Sequence, residues 1–171
     1  EPKPNEPMDH AYIPTIGHAI ALGLLARDPA RVGGLIESAH AILAGLDPSD
    51  EMGYALAHGK LWSVHLNDQN GLKFDQDKSF GSVDLRRAFN QVRVLDRHDY
   101  GRRGEWVGLD VKAVRTQKDA AAAEHLSNSR EVFLALLEVS RGLDEALVEQ
   151  CRAERNYEAL DRLIIKTLMG K

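Results

Sequence analysis

The sequence predicts an α/β fold assembled from parallel βα units, and two observations predict it. Short apolar, β-rich runs at Val32–Ile36, Leu61–Leu66 and Glu105–Val111 alternate with helix-patterned segments. Each run is followed at its carboxyl end by a polar cluster containing an acid or a histidine, which is where parallel α/β folds collect their chemistry.

Taken in order, Glu1 to Pro7 reads EPKPNEP, a proline-rich polar stretch that forbids helix and suggests a rigid loop leaving a strand upstream. The chain starts at Glu1 rather than methionine and is expected to be one piece of something longer. Pro14 stands where a first helical turn can begin, and Ile16 to Leu24 is a strongly apolar helix ending near Asp28-Pro29. The strand at Val32–Ile36 leads to Glu37, His40 and a turn at Gly45. Asp47 or Ser49 can cap a helix from Glu51 to His58, which Gly59 stops. The strand Leu61–Leu66 then opens into a polar loop carrying Asn67, Asp68, Asp75 and Asp77 and ending at Gly81.

Asp84 to Leu95 is an amphipathic helix with Leu85, Ala88, Phe89, Val92 and Leu95 on one face and Arg86, Arg87 and Arg93 largely off it. After a basic turn at Gly101–Gly104 and the strand Glu105–Val111, Asp119 or the alanine run opens a long helix reaching about Ser140. Two further helices fill Asp144 to Met169.

The whole chain limits what such a fold can serve. Its 171 residues, 43% hydrophobic, suit one domain or part of a larger one with a real core. A net charge of −4 and a pI near 6.0 give no electrostatic footprint for nucleic acid or an anionic membrane, so the expected partner is a small molecule. The single cysteine, Cys151, excludes an intrachain disulfide framework and points to the cytoplasm. No apolar run approaches the roughly 20 residues of a membrane span, and no signal peptide is visible. There is no G-x-S-x-G, no P-loop and no G-x-G-x-x-G, so nucleophilic and nucleotide chemistry lack support.

What remains is a set of donors at successive strand ends. Glu1 and Lys3 follow the upstream strand position, Glu37 and His40 the next, His65, Asp68, Asp75 and Asp77 the third, and Asp110 the fourth. In a curled parallel sheet these ends converge into a metal site. Carboxylates dominate, imidazoles join and thiolate is absent, a set that favours magnesium, manganese or cobalt over structural zinc. Taken singly, each residue has a plainer reading: an acidic loop in solvent for Asp75-Gln76-Asp77, a core histidine for His65, a helix-start charge for Glu37, a surface lysine for Lys3. Trp62 and Trp106 read most simply as core or barrel-wall residues, and the other histidines as structural.

The motifs also carry a resemblance. EPKPNEP, Glu37-Ser38-Ala39-His40, Gly59-Lys60-Leu61-Trp62, His65-Leu66-Asn67-Asp68-Gln69, Phe74-Asp75-Gln76-Asp77, Phe80-Gly81 and Asp84-Leu85-Arg86 resemble, in order, the second half of the xylose isomerase family. That family is a metal-dependent (β/α)8 barrel, so the resemblance implies the C-terminal part of a TIM barrel, strands about 5 to 8 of it. Residues 1–140 would form the half-barrel and 141–171 a helical tail that contacts a neighbouring subunit. By the same resemblance Glu1, Glu37, His65 and Asp110 would hold one divalent cation, and Glu37, His40, Asp75 and Asp77 a second. The ions implied are Mn2+, Mg2+ or Co2+, and Lys3 would meet the substrate oxygen at C1.

The implied activity is aldose–ketose isomerisation of a monosaccharide by a hydride shift between C1 and C2. It requires the missing N-terminal half-barrel, or another copy of the chain, within a homo-oligomer. Where the family reads H-I-D-L-N, this chain has Ser63-Val64-His65-Leu66-Asn67, so a histidine stands in place of an aspartate ligand. That exchange is similar to L-rhamnose isomerases and keto-sugar epimerases, and leaves the sugar open. The alternatives are a keto-sugar epimerase working through an enediolate, and a non-catalytic half-barrel or assembly module.

Overall fold

A computed structural model describes all 171 residues, Glu1–Lys171. Its centre is a three-stranded parallel sheet in the order β1 (Gly34–Glu37), β2 (Leu61–Leu66), β3 (Trp106–Leu109). Helix α1 (Ile16–Gly23) precedes the sheet; α2 (Ser38–Leu43) and α3 (Pro48–Ala57) connect β1 to β2, and α4 (Leu85–Arg97) connects β2 to β3. Helices α5 (Glu124–Arg141), α6 (Glu145–Ala153) and α7 (Tyr157–Leu168) follow. This is an α/β arrangement compatible with part of a barrel; the three strands do not close one. No helix is long and apolar enough to cross a membrane.

Several expectations need correction. Residues 1–15 hold no strand, in keeping with the loop read at Glu1–Pro7, and run as bends and irregular backbone tied back by Lys3 N–H donating to the Ile13 carbonyl at 3.0 Å. The sheet therefore has three strands, with β1 and β3 as open edges. β1 begins at Gly34, later than expected, and a Cβ on Gly33 would collide with the Trp62 ring. Helix α2 has no counterpart in the sequence pattern because SAHAIL is buried all round and so has no polar face to give a period. The helix α3 begins at Pro48 with Asp47 as its cap, the carboxylate accepting from Ser49 N–H at 2.8 Å. Glu124, not Asp119, opens α5, since Asp119–Ala121 forms a separate 3-10 turn. Leu85 and both tryptophans are surface residues in this chain; Trp62 is 44% and Trp106 76% exposed. Trp106 opens an edge strand with nothing paired beyond it, which accounts for its exposure.

The core lies between the sheet and its helices. Val64 and Leu66 of β2 and Ile36 of β1 meet Ile16, Met52, Phe89 and Val92. The amphipathic reading of α4 holds for Ala88, Phe89, Val92 and Leu95, and Asp84 caps the helix by accepting from Arg87 N–H at 2.9 Å. The tail joins the same core through Leu143, Val148 and Ile164. It is also fastened to α4 by ion pairs: Arg93 grips Glu145 with two bonds of 2.7 and 2.9 Å, and Arg86 meets Asp161 at 2.7 Å.

Candidate metal centre

Register places the donors. Glu37 of β1 pairs with His65 of β2, and His65 with Gly108 of β3, so these three stand in one row across the sheet. Successive strand side chains alternate faces, so Asn67 shares the face of His65 and Asp110 that of Gly108. Helix α2 begins immediately after Glu37, and three residues on, one turn along, His40 returns toward it: Nε2 lies 3.2 Å from Glu37 Oε1.

The loop after β2 brings the aspartate pair. An isolated bridge joins Asp68 to Lys78, each N–H donating to the other's carbonyl at 2.9 and 3.0 Å. Inside it the buried Gln69 side chain donates to the carbonyls of Gly71 and Phe74, at 2.9 and 2.6 Å, and accepts from Gln76 N–H at 3.0 Å. Asp77 adopts φ 45, a left-handed conformation that aspartate tolerates better than most residues. The loop thus delivers both Asp75 and Asp77 to Glu37.

Three donor groups result, each with ligand atoms within 4.8 Å of one another: Glu1, Glu37 and His40; Glu37, His65 and Asp110; Glu37, Asp75 and Asp77. Every residue expected to ligate is present, and Glu37, only 3% exposed, belongs to all three. Glu1 departs from expectation. It was expected beside His65 and Asp110, whereas it lies with His40, Oε1 at 3.3 Å from Nδ1, drawn by the imidazolium charge. Lys3 donates to Asp75 Oδ2 at 2.7 Å, and His40 Nε2 approaches the same oxygen at 3.0 Å. Asp68 stands apart from the cluster: its carboxylate is consumed by the N–H groups of Gln69, Val83 and Asp84 at 2.9, 2.7 and 3.0 Å.

Electrostatics follow from crowding acids in a buried place. Burial pushes the Glu37 carboxyl up to about 9 against the opposing charge of His40. Burial also raises Asp77, helped by Asp75 and opposed by Lys112. Burial disfavours the charged form of His40, but hydrogen bonds with Asp75 and Glu1 and the charge of Glu37 outweigh it and raise the imidazole to about 9. Glu1 is lowered to about 2, chiefly by its hydrogen bond with His40. For Asp75, the hydrogen bonds from His40 and Lys3 overcome burial and hold it well below the usual carboxylate range.

Two residues of the site escaped sequence reasoning. Asn67, 1% exposed, accepts Ala39 N–H at 2.7 Å and donates to Glu37 Oε1 at 2.9 Å and Asp77 Oδ1 at 3.2 Å, holding together two carboxylates of the third group. Lys112 pairs with Asp77. The available signal was parity, since each lies two residues beyond a named donor on the same strand line.

The residues present fit a divalent cation. His65 Nδ1 and Asp75 Oδ1 are buried with no hydrogen-bond partner, an expensive state for polar atoms facing carboxylates. Oxygen donors predominate, as hard divalent ions prefer. No protein-family model matches the chain. Over 100 residues, 58% of this chain, it is 44% identical to xylose isomerase from Streptomyces lividans. The matched region amounts to 25% of that protein, so the chain spans about a quarter of the relative's length. The residues described here thus belong to a chain that is similar, over part of its length, to a xylose isomerase.

Proposed function

We propose that this chain is the cation-binding portion of a divalent-metal-dependent aldose–ketose sugar isomerase. The observation that carries the proposal is the convergence of Glu1, Glu37, His40, His65, Asp75, Asp77 and Asp110 around one buried carboxylate, Glu37. The similarity to a xylose isomerase supports the same reading. Glu37, His65 and Asp110 would hold one cation; Glu37, Asp75 and Asp77, with His40 and Glu1 beside them, the other. Mn2+, Mg2+ or Co2+ suits these donors, and when bound such ions act as Lewis acids that polarise sugar oxygens.

The chain's own groups supply the remainder. Glu37 serves both sets and fixes their separation, while Asn67 keeps its carboxylate turned toward Asp77. Lys3 is anchored on Asp75, and Asp75 together with Glu6 outweighs burial and raises its pKa, so it stays an ammonium. From there it would donate to a sugar oxygen where negative charge develops. The reaction proposed is a hydride shift between C1 and C2, completed only with the remaining barrel strands from an N-terminal half or another copy.

The test is to assay the chain, alone and joined to that N-terminal half, on pentoses and 6-deoxyhexoses with each of the three metals. Isomerisation by the joined protein alone is the expected result. Activity of the isolated monomer would overturn the need for the missing half, and no activity on any sugar would count against the isomerase reading. Products formed in D2O are expected to carry no solvent deuterium at C1 or C2; its appearance would favour the enediolate chemistry that His65 also permits.

A further inference from the structure

We infer that Gly108 is a positioning residue for His65: the absence of a side chain at 108 lets the imidazole lie against β3 with Nδ1 toward Glu37 and Asp110. The inference rests on the reading of His65 as a ligand. The two residues are register partners on adjacent strands. A Cβ on Gly108 would stand 2.9 Å from His65 Cδ2, closer than carbon atoms pack, whereas Nε2 at 3.4 Å and the nearest backbone atom, Val64 O, at 3.6 Å would be in ordinary contact. The position lies within an ordinary strand and its φ is outside the left-handed region, so the backbone gives no reason for glycine there. Glycine otherwise weakens a strand.

The other edge of the ring shows what the space is for. His65 Nδ1 lies 3.8 Å from Glu37 Oε2 and 3.6 Å from Asp110 Oδ2, buried and without a hydrogen-bond partner. With no hydrogen bond at Nδ1 to fix the ring, the surface beneath it sets its direction. A side chain at 108 would drive the ring off that surface and swing Nδ1 away from both carboxylates. A shorter group at 65, such as carboxylate, would not reach over 108. Glycine at 108 is therefore matched to histidine at 65.

Four chains test this: wild type, Gly108→Ala, His65→Asp and the double variant, each checked for folding by circular dichroism and titrated with Mn2+. Gly108→Ala is expected to weaken one of two Mn2+ sites about tenfold or more, as loss of an orienting contact does, yet by less than about twofold when His65 is already aspartate. Equal losses in both backgrounds, or no loss with His65 present, would overturn the inference. If Gly108→Ala unfolds while the double variant folds, the match is supported; if both unfold, it is refuted. In the metal-free chain the His65 Cδ2–Hδ2 NMR signal is expected to move on Gly108→Ala while that of the remote His98 stays. An unmoved His65 signal would sink the inference whatever the metal does. A wild-type chain that binds no Mn2+ would instead remove the functional reading, and a moved signal would then still support the steric match.

Discussion

Replacing Asn67 by alanine removes the one side chain that joins helix α2 to both Glu37 and Asp77. The Ala39 N–H would be left buried without its acceptor at 2.7 Å, at a cost of about 1–3 kcal/mol. The bonds to Glu37 and Asp77 contribute about 0.5–1.5 kcal/mol each, the lower end for Asp77 because Lys112 also serves it. A net loss of about 3 kcal/mol follows, or about 6–12 °C in melting temperature for a chain of this size. Asn67→Asp separates the parts, since it keeps the acceptor for Ala39 and puts a carboxyl among Glu37 and Asp77. Burial and like charge raise the folded-state pKa of such a group above its unfolded value. Its stability is therefore fully present below the unfolded carboxyl range and lost as pH rises through the folded pKa. Urea unfolding in EDTA should show Asn67→Asp near wild type at about pH 4 and well below it at about pH 8. The corresponding gap for Asn67→Ala should vary less. A cost under about 1 kcal/mol for Asn67→Ala, or a pH-independent Asn67→Asp, would refute the claim that Asn67 holds the carboxylates together.

Other outcomes separate structural from ligating groups. Asp68→Ala is expected to lower the melting temperature, because three backbone N–H groups lose their acceptor, yet to leave Mn2+ stoichiometry unchanged; a lost Mn2+ site would place Asp68 in the centre. Gly81→Ala combines φ 73 with a Cβ 2.8 Å from Val132 Cγ1, whereas Gly45→Ala meets φ 75 and open space. Gly45→Ala should cost about 1 kcal/mol and Gly81→Ala about 1–3 kcal/mol more, measured by urea unfolding; equal costs would show that the Val132 contact relaxes freely. The Glu145 carboxyl is lowered, chiefly by its hydrogen bonds from Arg93, so its stabilisation is present above the unfolded glutamate range and lost as pH falls. Half-exposed, it is worth no more than about 1 kcal/mol, and the gap to Glu145→Gln should close between about pH 6 and pH 3; a gap that widens on acidification would reverse the sign argued here.

Much of this was legible because parallel strands impose their own arithmetic. Leu61–Leu66 is readable residue for residue, and the alternation of strands and helices alone assigns the donors after each strand to one end of a sheet. The details that were not legible depend on three-dimensional neighbours. Helix α2 shows no polar face, so its pattern is that of any buried run. Asp68 and Asp75 look alike in the loop, and only the path of the chain gives one three backbone partners and the other Lys3 and His40. Asn67 and Gly108 carry no charge and nothing in the pattern gives either a role in the site, although one ties the carboxylates together and the other leaves room for an imidazole.

The most direct test concerns Glu37, the carboxylate common to all three donor groups. Mn2+ titration of the chain, followed by calorimetry and electron paramagnetic resonance, is predicted to give two sites per chain. Glu37→Gln should weaken both by about tenfold or more, as loss of a ligand does, while Asp75→Asn weakens one and the remote Asp50→Asn neither. Superimposable titration curves for wild type, Glu37→Gln and Asp50→Asn would contradict the account at its centre.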